Sequence, residues 1–441
     1  MTDPGLSDCL LPNELILDIF QHLSKDRKTL HKLLFFHPSY RTTIERALYS
    51  EMSDWVTTTS FQGFIKVVAD NTRLASYVQC FAFCEEDDGE VLLLYLDEEA
   101  TAERALLWED VIRAIKSMVN LKRFLIRLFG GQPPGSLLSI LQTRKLESFR
   151  WSSYNLRRET LARWSCIWQS QASLVELSVS LSAKHLSTLN VQLTLSNLLR
   201  FAGNWGAIKV IMPCCPNVTS LVWRRDTGED SELTEEDISK FSAMVGTKLA
   251  SFAINNHNGH FKDIPIALLR AFRDRPHAVR CLQLPLTWQH DNEGWGDVKD
   301  VLLSSFPILK YLIIAGSSVN ETNSNLPNID IDTYFSSLFS DMSSLQTVYI
   351  GPIASSLLHG NSDTETRIPT VHSSGSSALG GTLMFQSLTR AAVSESELAP
   401  CMTNAVIYQL SHDLVHFDDS ITFDDLSHAY KDGNLTGFRV A

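Results

Sequence analysis

One apolar triplet recurs along the chain, written apolar, two residues, apolar, one residue, apolar. It occurs at Val78-Phe81-Phe83, Leu121-Phe124-Ile126, Leu146-Phe149-Trp151, Leu174-Leu177-Val179 and Val218-Leu221-Trp223. It returns at Leu249-Phe252-Ile254, Val279-Leu282-Leu284, Leu309-Leu312-Ile314 and Leu345-Val348-Ile350, with a weaker copy near Leu198. At 44% hydrophobic residues, chance alone supplies many such triplets, so spacing and context carry the weight. The starts at 218, 249, 279 and 309 are 31, 30 and 30 residues apart. Helical patterns lie between them: Ile238, Phe241 and Val245; Leu268, Leu269 and Phe272; Val298, Val301, Leu302 and Phe306; Phe335, Leu338, Phe339 and Met342. Strand, loop, helix and turn at a near-constant period predict an α/β solenoid, in which no unit buries its own apolar face and neighbours must stack. Unit lengths are uneven, 25 residues between the starts at 121 and 146 and 36 between those at 309 and 345, so the solenoid is expected to be irregular.

A chain of 441 residues is too long for one ordinary core and fits several domains or one repeat array. With 38 basic against 50 acidic residues the net charge is −12, which argues against nucleic acid as a partner, since phosphate binding needs a concentrated basic surface. The start, "MTDPGLSDCL", lacks a basic region leading into an apolar one, so no signal peptide is expected. The longest aliphatic runs, such as "VLLLYL" at 91–96, fall far short of the roughly twenty residues of a membrane span. The expected location is therefore cytoplasmic or nuclear, without membrane attachment, and the eight scattered cysteines read as buried free thiols.

Catalytic and metal chemistry is not evident. Cys80 and Cys84 have no second pair at zinc spacing, and His257 and His260 have no clear third ligand. Neither a phosphate loop nor a nucleophile elbow is present, and no cysteine has an evident catalytic setting. The expectation is a protein that is not an enzyme and holds neither metal nor cofactor. Loops that leave the strands carry His257, His260, Trp288 and Trp295 beside ordinary polar connectors; a partner surface is expected there.

The amino-terminal stretch "LLPNELILDIFQHLSKDRKTLHKLLFFHP" holds more apolar surface than about forty residues bury alone. Leu11, Leu15, Ile19 and Leu23 form one helical stripe; Ile16 and Phe20 form a second. Pro12 suits a first helical turn and Glu14 is favoured by the helix dipole. A second helix is expected over about 28–36, ended by Pro38, and a third over 39–52 with Ile44, Leu48 and Met52 on one face. Three short helices share one small centre, so one stripe is left over. Either later parts of the chain cover it, or a partner groove does.

"LPNELILDIFQHL" resembles the start of an F-box: Leu-Pro, an acidic residue two places on, then a Leu/Ile-rich helix with Ile-Phe and a closing Leu. The second half departs from the family, with "FFHPSYRTTI" in place of its Cys/Trp-type pattern. The repeat unit is similar to leucine-rich repeats, "CPNVTSLVW" at 215–223 most of all, although the Asn expected after the strand is missing from most units. The resemblance as a whole is to F-box proteins of fungal type with a leucine-rich-repeat-like body. It implies a short three-helix F-box at 8–52 and an α/β solenoid at 53–352; composition adds a flexible Ser/Thr/Gly-rich loop at 353–384, followed by a C-terminal segment at 385–441 that is a candidate cap for the array.

It further implies docking on the Skp adaptor of a cullin–RING ubiquitin ligase through Leu11, Pro12, Leu15, Ile16, Ile19, Phe20 and Leu23. The chain would then be the substrate receptor of that complex in the ubiquitin conjugation pathway, binding an unknown protein substrate through the repeats. Two readings stand beside this one: a non-catalytic repeat scaffold for protein–protein interaction without a ligase role, and an enzyme on a parallel α/β sheet.

Overall fold

The structure is a computed structural model. It describes residues 15–16, 19–20, 23, 27–35, 40–52, 59–84, 98–128, 133–153, 158–179, 195–225, 248–256, 277–285, 292–315, 337–345, 347–354, 372–373 and 383–389, with single positions between 236 and 272. The chain forms two compact units, Met1–Ser173 and Leu174–Ala441.

In the first unit four parallel strands follow one another in chain order: β1 (Glu51–Met52), β2 (Cys80–Cys84), β3 (Arg123–Leu128) and β4 (Ser148–Ser153). Parallel neighbours need a crossover, and here helices supply it. After α1 (Arg27–Leu33) and α2 (Arg41–Tyr49), α3 (Thr59–Asp70) and α4 (Thr72–Ala75) link β1 to β2. Next, α5 (Glu98–Ser117) links β2 to β3, α6 (Gly135–Gln142) links β3 to β4, and α7 (Arg158–Ser170) follows β4. On α3 the apolar stripe Phe61, Ile65 and Val68 is no more than 1% exposed. Asn71 begins α4 by accepting the Leu74 amide on its side chain at 3.1 Å. Gln171, buried after α7, accepts the Leu146 amide at 2.8 Å and donates to the Leu141 carbonyl at 3.1 Å, fixing the turn that leads into β4.

The second unit repeats the plan. Strands β5 (Glu176–Val179), β6 (Arg200–Gly203), β7 (Ser220–Arg225), β8 (Ser251–Asn256), β9 (Cys281–Pro285), β10 (Tyr311–Ala315) and β11 (Thr347–Ala354) are parallel and in chain order. Helix α8 (Trp205–Ile211) joins β6 to β7 and α9 (Asn292–Ser305) joins β9 to β10. Two further strands, β12 (His372–Ser373) and β13 (Leu383–Thr389), continue the sheet antiparallel from β11, with β13 next to it. They fall in and beside the stretch for which a flexible loop is the sequence expectation; "LMFQSLT" carries enough apolar and β-branched content to pair.

The triplets set the register. Leu177, Phe201, Leu221, Phe252, Leu282, Leu312 and Val348 face one another across seven strands. In the first unit Phe81, Phe124 and Phe149 do the same. All ten triplet starts, from Val78 to Leu345 and including Leu198, are no more than 4% exposed. Against this face pack Phe241, Leu269, Phe272, Val298, Val301, Leu302, Phe306, Leu338 and Met342, from the helices and the turns that end them, each buried. The weak copy near Leu198 is strand β6, with Gly203 in its third place. A side chain does not fit there: a Cβ on Gly203 would lie 2.7 Å from the Val179 carbonyl oxygen and 3.0 Å from the Ala207 Cβ.

One expected boundary moves. The third helix was expected to reach Met52, but α2 ends at Tyr49, and Glu51–Met52 pair with Cys80 and Phe81 as strand β1. Met52 is fully buried all the same, because the strand delivers it to the same apolar interior as Phe81. No helix among the described residues is long and apolar enough to cross a membrane.

Two glycines make the packing testable. Gly203→Ala is expected to lower stability by about 1–3 kcal/mol through overpacking against Val179. Gly63→Ala, in α3 with nothing within 4 Å of the added methyl, is expected to raise it by up to about 1 kcal/mol. Urea unfolding of both variants measures the signs; a neutral Gly203→Ala would contradict the close approach of β5 and β6.

Candidate partner-docking helices

The described helical residues near the amino end divide by face. Ile16 and Phe20, 6% and 7% exposed, join Leu30 and Ile44 in a small apolar centre, against which Leu23, Leu33, Leu34, Tyr40, Ala47 and Leu48 pack. Phe20 meets Tyr40 edge-on at 6.4 Å. Four residues apart on the adjoining stripe, Leu15 and Ile19 remain 49% and 44% exposed. Phe35, at the end of α1, is 80% exposed and touches the His31 ring at 5.6 Å. Single exposed apolar residues are ordinary, but a Leu/Ile pair one turn apart is a ridge. Leu15 and Ile19 are already half-buried, so covering the rest of each is worth roughly half of the about 1.5–3 kcal/mol for burying a whole side chain.

Of the seven residues the sequence marked for docking, the structure therefore exposes Leu15 and Ile19, buries Ile16 and Phe20, and half-buries Leu23. Leu11 and Pro12 lie outside the described residues. Phe35 falls within the apolar amino-terminal stretch, and nothing in its spacing distinguishes it from Leu34, which packs inward.

These helices are mounted firmly on the sheet that follows. Helix α2 passes into β1 through the single residue Ser50, whose carbonyl accepts the amides of Gln79 and Cys80 at 2.8 and 3.0 Å. Glu45 of α2 is 5% exposed. Its carboxylate takes the Arg41 Nε at 3.1 Å and both terminal nitrogens of Arg73, from α4, in a forked ion pair. Arg73 also donates to the Tyr77 hydroxyl at 3.3 Å, and the guanidinium carbons of Arg46 and Arg73 lie 5.5 and 5.8 Å from the centre of the Tyr77 ring. Tyr49 stacks on Phe64 of α3 at 5.8 Å. Hydrogen bonding to Arg73 holds the Glu45 carboxyl below the usual glutamate range against the opposing effect of burial.

The sequence candidates for a second surface are less placed. His257, His260 and Trp288 lie outside the described residues, and the backbone of Trp295 falls in the first turn of α9. On the strands of the second unit, the middle row of the face away from the helices is buried: Ser178, Ala202, Val222, Ala253 and Gln283, in register on adjacent strands, are each no more than 6% exposed, while Glu176 and Arg200 at the strand starts are partly exposed. Arg224, on the same face, donates to the Ser178 hydroxyl at 2.5 Å. Among the described residues no group of three His, Cys, Asp or Glu side chains is placed to hold a metal ion. Burial, with Cys214 adding to it, pushes the Cys215 thiol up to about 12, which keeps it protonated and unreactive.

The fold defines a mixed α/β protein whose parallel strands follow chain order, with helices between them. No family model matches the chain. No curated protein matches it either. Among solved structures, the complex of Rad7 and Elc1 in yeast contains a chain similar to this one at 15% identity, over 79% of this chain and 93% of that one, with a TM-score of 0.33.

The mounting has a pH signature. Because folding depresses the Glu45 pKa, its ion pairs contribute stability that is complete above the ordinary glutamate value of about 4.5 and is lost as pH falls through the depressed one. Glu45→Gln is therefore expected to be less stable than wild type near neutrality and to converge on it in acid; parallel urea unfolding curves at neutral and acid pH measure this. A stability difference that persists unchanged in acid would assign the loss to packing instead.

Proposed function

We propose that this chain is an F-box protein with a leucine-rich-repeat-like body, acting as the substrate-recognition subunit of a Skp–cullin–F-box ubiquitin ligase. The helices within 8–52 dock on the Skp adaptor and the solenoid of 53–352 presents the substrate. The observation that carries this reading is the division of the amino-terminal stripes. Ile16 and Phe20 hold the helices together, while Leu15 and Ile19 stand outside that centre with Phe35. A ridge of this kind fits the apolar groove of a partner. The sequence motif adds the identity of the partner, and the strand–helix period adds the body. The chain itself performs no chemistry in this scheme. It holds a substrate beside a charged ubiquitin-conjugating enzyme, and proximity supplies the rate.

The test is capture of a purified Skp adaptor by wild type and by Leu15→Asp/Ile19→Asp. Both positions are exposed, so the double variant is expected to keep its stability within about 0.5 kcal/mol per site. Capture is expected to weaken more than about tenfold, since each apolar anchor in such an interface is worth about 2 kcal/mol or more. Wild type that captures no adaptor would defeat the receptor role and leave the plain repeat scaffold.

A further inference from the structure

The strands of the two units differ on the faces turned away from their helices. In the second unit the middle row of that face, from Ser178 to Gln283, is buried. In the first the face is partly open and basic. Strand alternation places Cys80, Ala82 and Cys84 of β2, Arg123, Leu125 and Arg127 of β3, and Ser148 and Arg150 of β4 opposite the buried Phe81, Phe124 and Phe149. Leu125, Arg127 and Arg150 are each partly exposed, and the Arg123 side chain is 45% exposed. Arg123 reaches Glu51 of β1 at 3.4 Å. Leu125 stands opposite Arg150 and Arg127 opposite Ser152, so Arg127 and Arg150 are diagonal neighbours. Their Cα atoms are on the order of 8 Å apart, from the strand spacing and the rise over two residues.

We propose that this face binds an acidic peptide segment in extended conformation. Arg127 and Arg150 on two adjacent strands, with Arg123 beside them paired to Glu51, gather guanidiniums on one face in a protein of net charge −12. An extended chain presents alternate side chains on one side about 6.7 Å apart, a spacing that lets successive carboxylates reach Arg150 and Arg127. Guanidinium forks favour carboxylates, and Leu125, opposite Arg150 and two residues before Arg127, offers an apolar seat for the methylene stem of the glutamate that reaches Arg150. Arg127 and Arg150 also interact elsewhere in their own chain, so an incoming carboxylate competes for them and binding is salt-sensitive. The inference deepens the receptor reading, and rests on it only in taking the peptide for substrate.

The experiment uses the full chain and a fluorescein-labelled peptide of alternating Glu and Ser, with the matching Gln–Ser peptide as control. Anisotropy titrations at low salt are expected to show binding of the Glu peptide alone, weakening as salt rises. In Arg127→Gln/Arg150→Gln affinity is expected to fall about tenfold; Lys116→Gln, on α5, is expected to leave it unchanged. Arg127→Lys/Arg150→Lys, which keeps the charge, is expected to retain most of the binding even if the Gln variant folds poorly. The idea is overturned if wild type binds neither peptide, binds both equally, or loses nothing in a folded Gln variant. The Leu15→Asp/Ile19→Asp variant is expected to bind the peptide normally, and the arginine variant to capture the adaptor normally, so either reading can fail without the other.

Discussion

Eight of the parallel strands, β2–β4 and β6–β10, enter their ladders by way of one shared carbonyl just before the neighbouring strand. Ser50 takes the amides of Gln79 and Cys80, Gln79 those of Lys122 and Arg123, and Lys122 those of Glu147 and Ser148. The same arrangement runs from Val175 through Leu199, Thr219, Ala250 and Arg280 in the second unit, all at 2.8–3.1 Å. Sharing satisfies two donors at the point where strand begins and leaves neither buried without a partner. It also fixes register. A slip of one residue would turn each strand's apolar row to the opposite face, so the paired amides and the triplet must agree.

With register fixed, side-chain volume decides what fills the interior. Phe81, Phe124 and Phe149 stack at 6.2 and 6.1 Å, and Phe83 lies on Trp108 at 4.2 Å. In the second unit Phe241, Phe252, Phe272 and Phe306 form a chain of ring contacts at 5.4–6.1 Å. The indole N–H groups of Trp151, Trp164, Trp168 and Trp223 are buried without a hydrogen-bond partner. Burying an indole removes about 150–250 Å² from water, worth roughly 4–6 kcal/mol, against about 1–3 kcal/mol for the unmet donor. Filling space therefore outweighs satisfying the donor at these positions.

The same hierarchy explains what the sequence disclosed. Triplet positions were readable because burial demands large apolar residues at a fixed spacing, and Phe241, Phe272 and Phe306 were readable as helical faces for the same reason. Strand β6 was faint because close approach to Val179 requires Gly203 where a large residue was sought. Strand β1 was invisible: two residues carry no period, and Met52 continued a helical stripe. Two stripes near the amino end were plain, yet only the fold decides which one meets Leu30 and Ile44 and which stays in water. The ion pair of Glu45 with Arg73 joins residues 28 apart and left no local trace. Nor did the basic face, because Arg127 and Arg150 become neighbours only once β3 and β4 pair.

The exposed ridge and strands β1–β4 belong to one unit, and the connection between them has little freedom. A docking helix on a slack tether would leave its cargo wandering, since end-to-end distance in a flexible linker grows as the square root of its length. Here a single residue separates α2 from β1, and that residue's carbonyl is part of the ladder. Glu45, anchored by Arg73, opposes twisting about that joint, and Tyr49 on Phe64 opposes tilting. Any force that a partner exerts on Leu15 and Ile19 passes through Ile16 and Phe20 to Ile44 on α2, and from there into β1. The orientation of the first unit's strands relative to the ridge is therefore set by packed and charge-paired contacts within the chain.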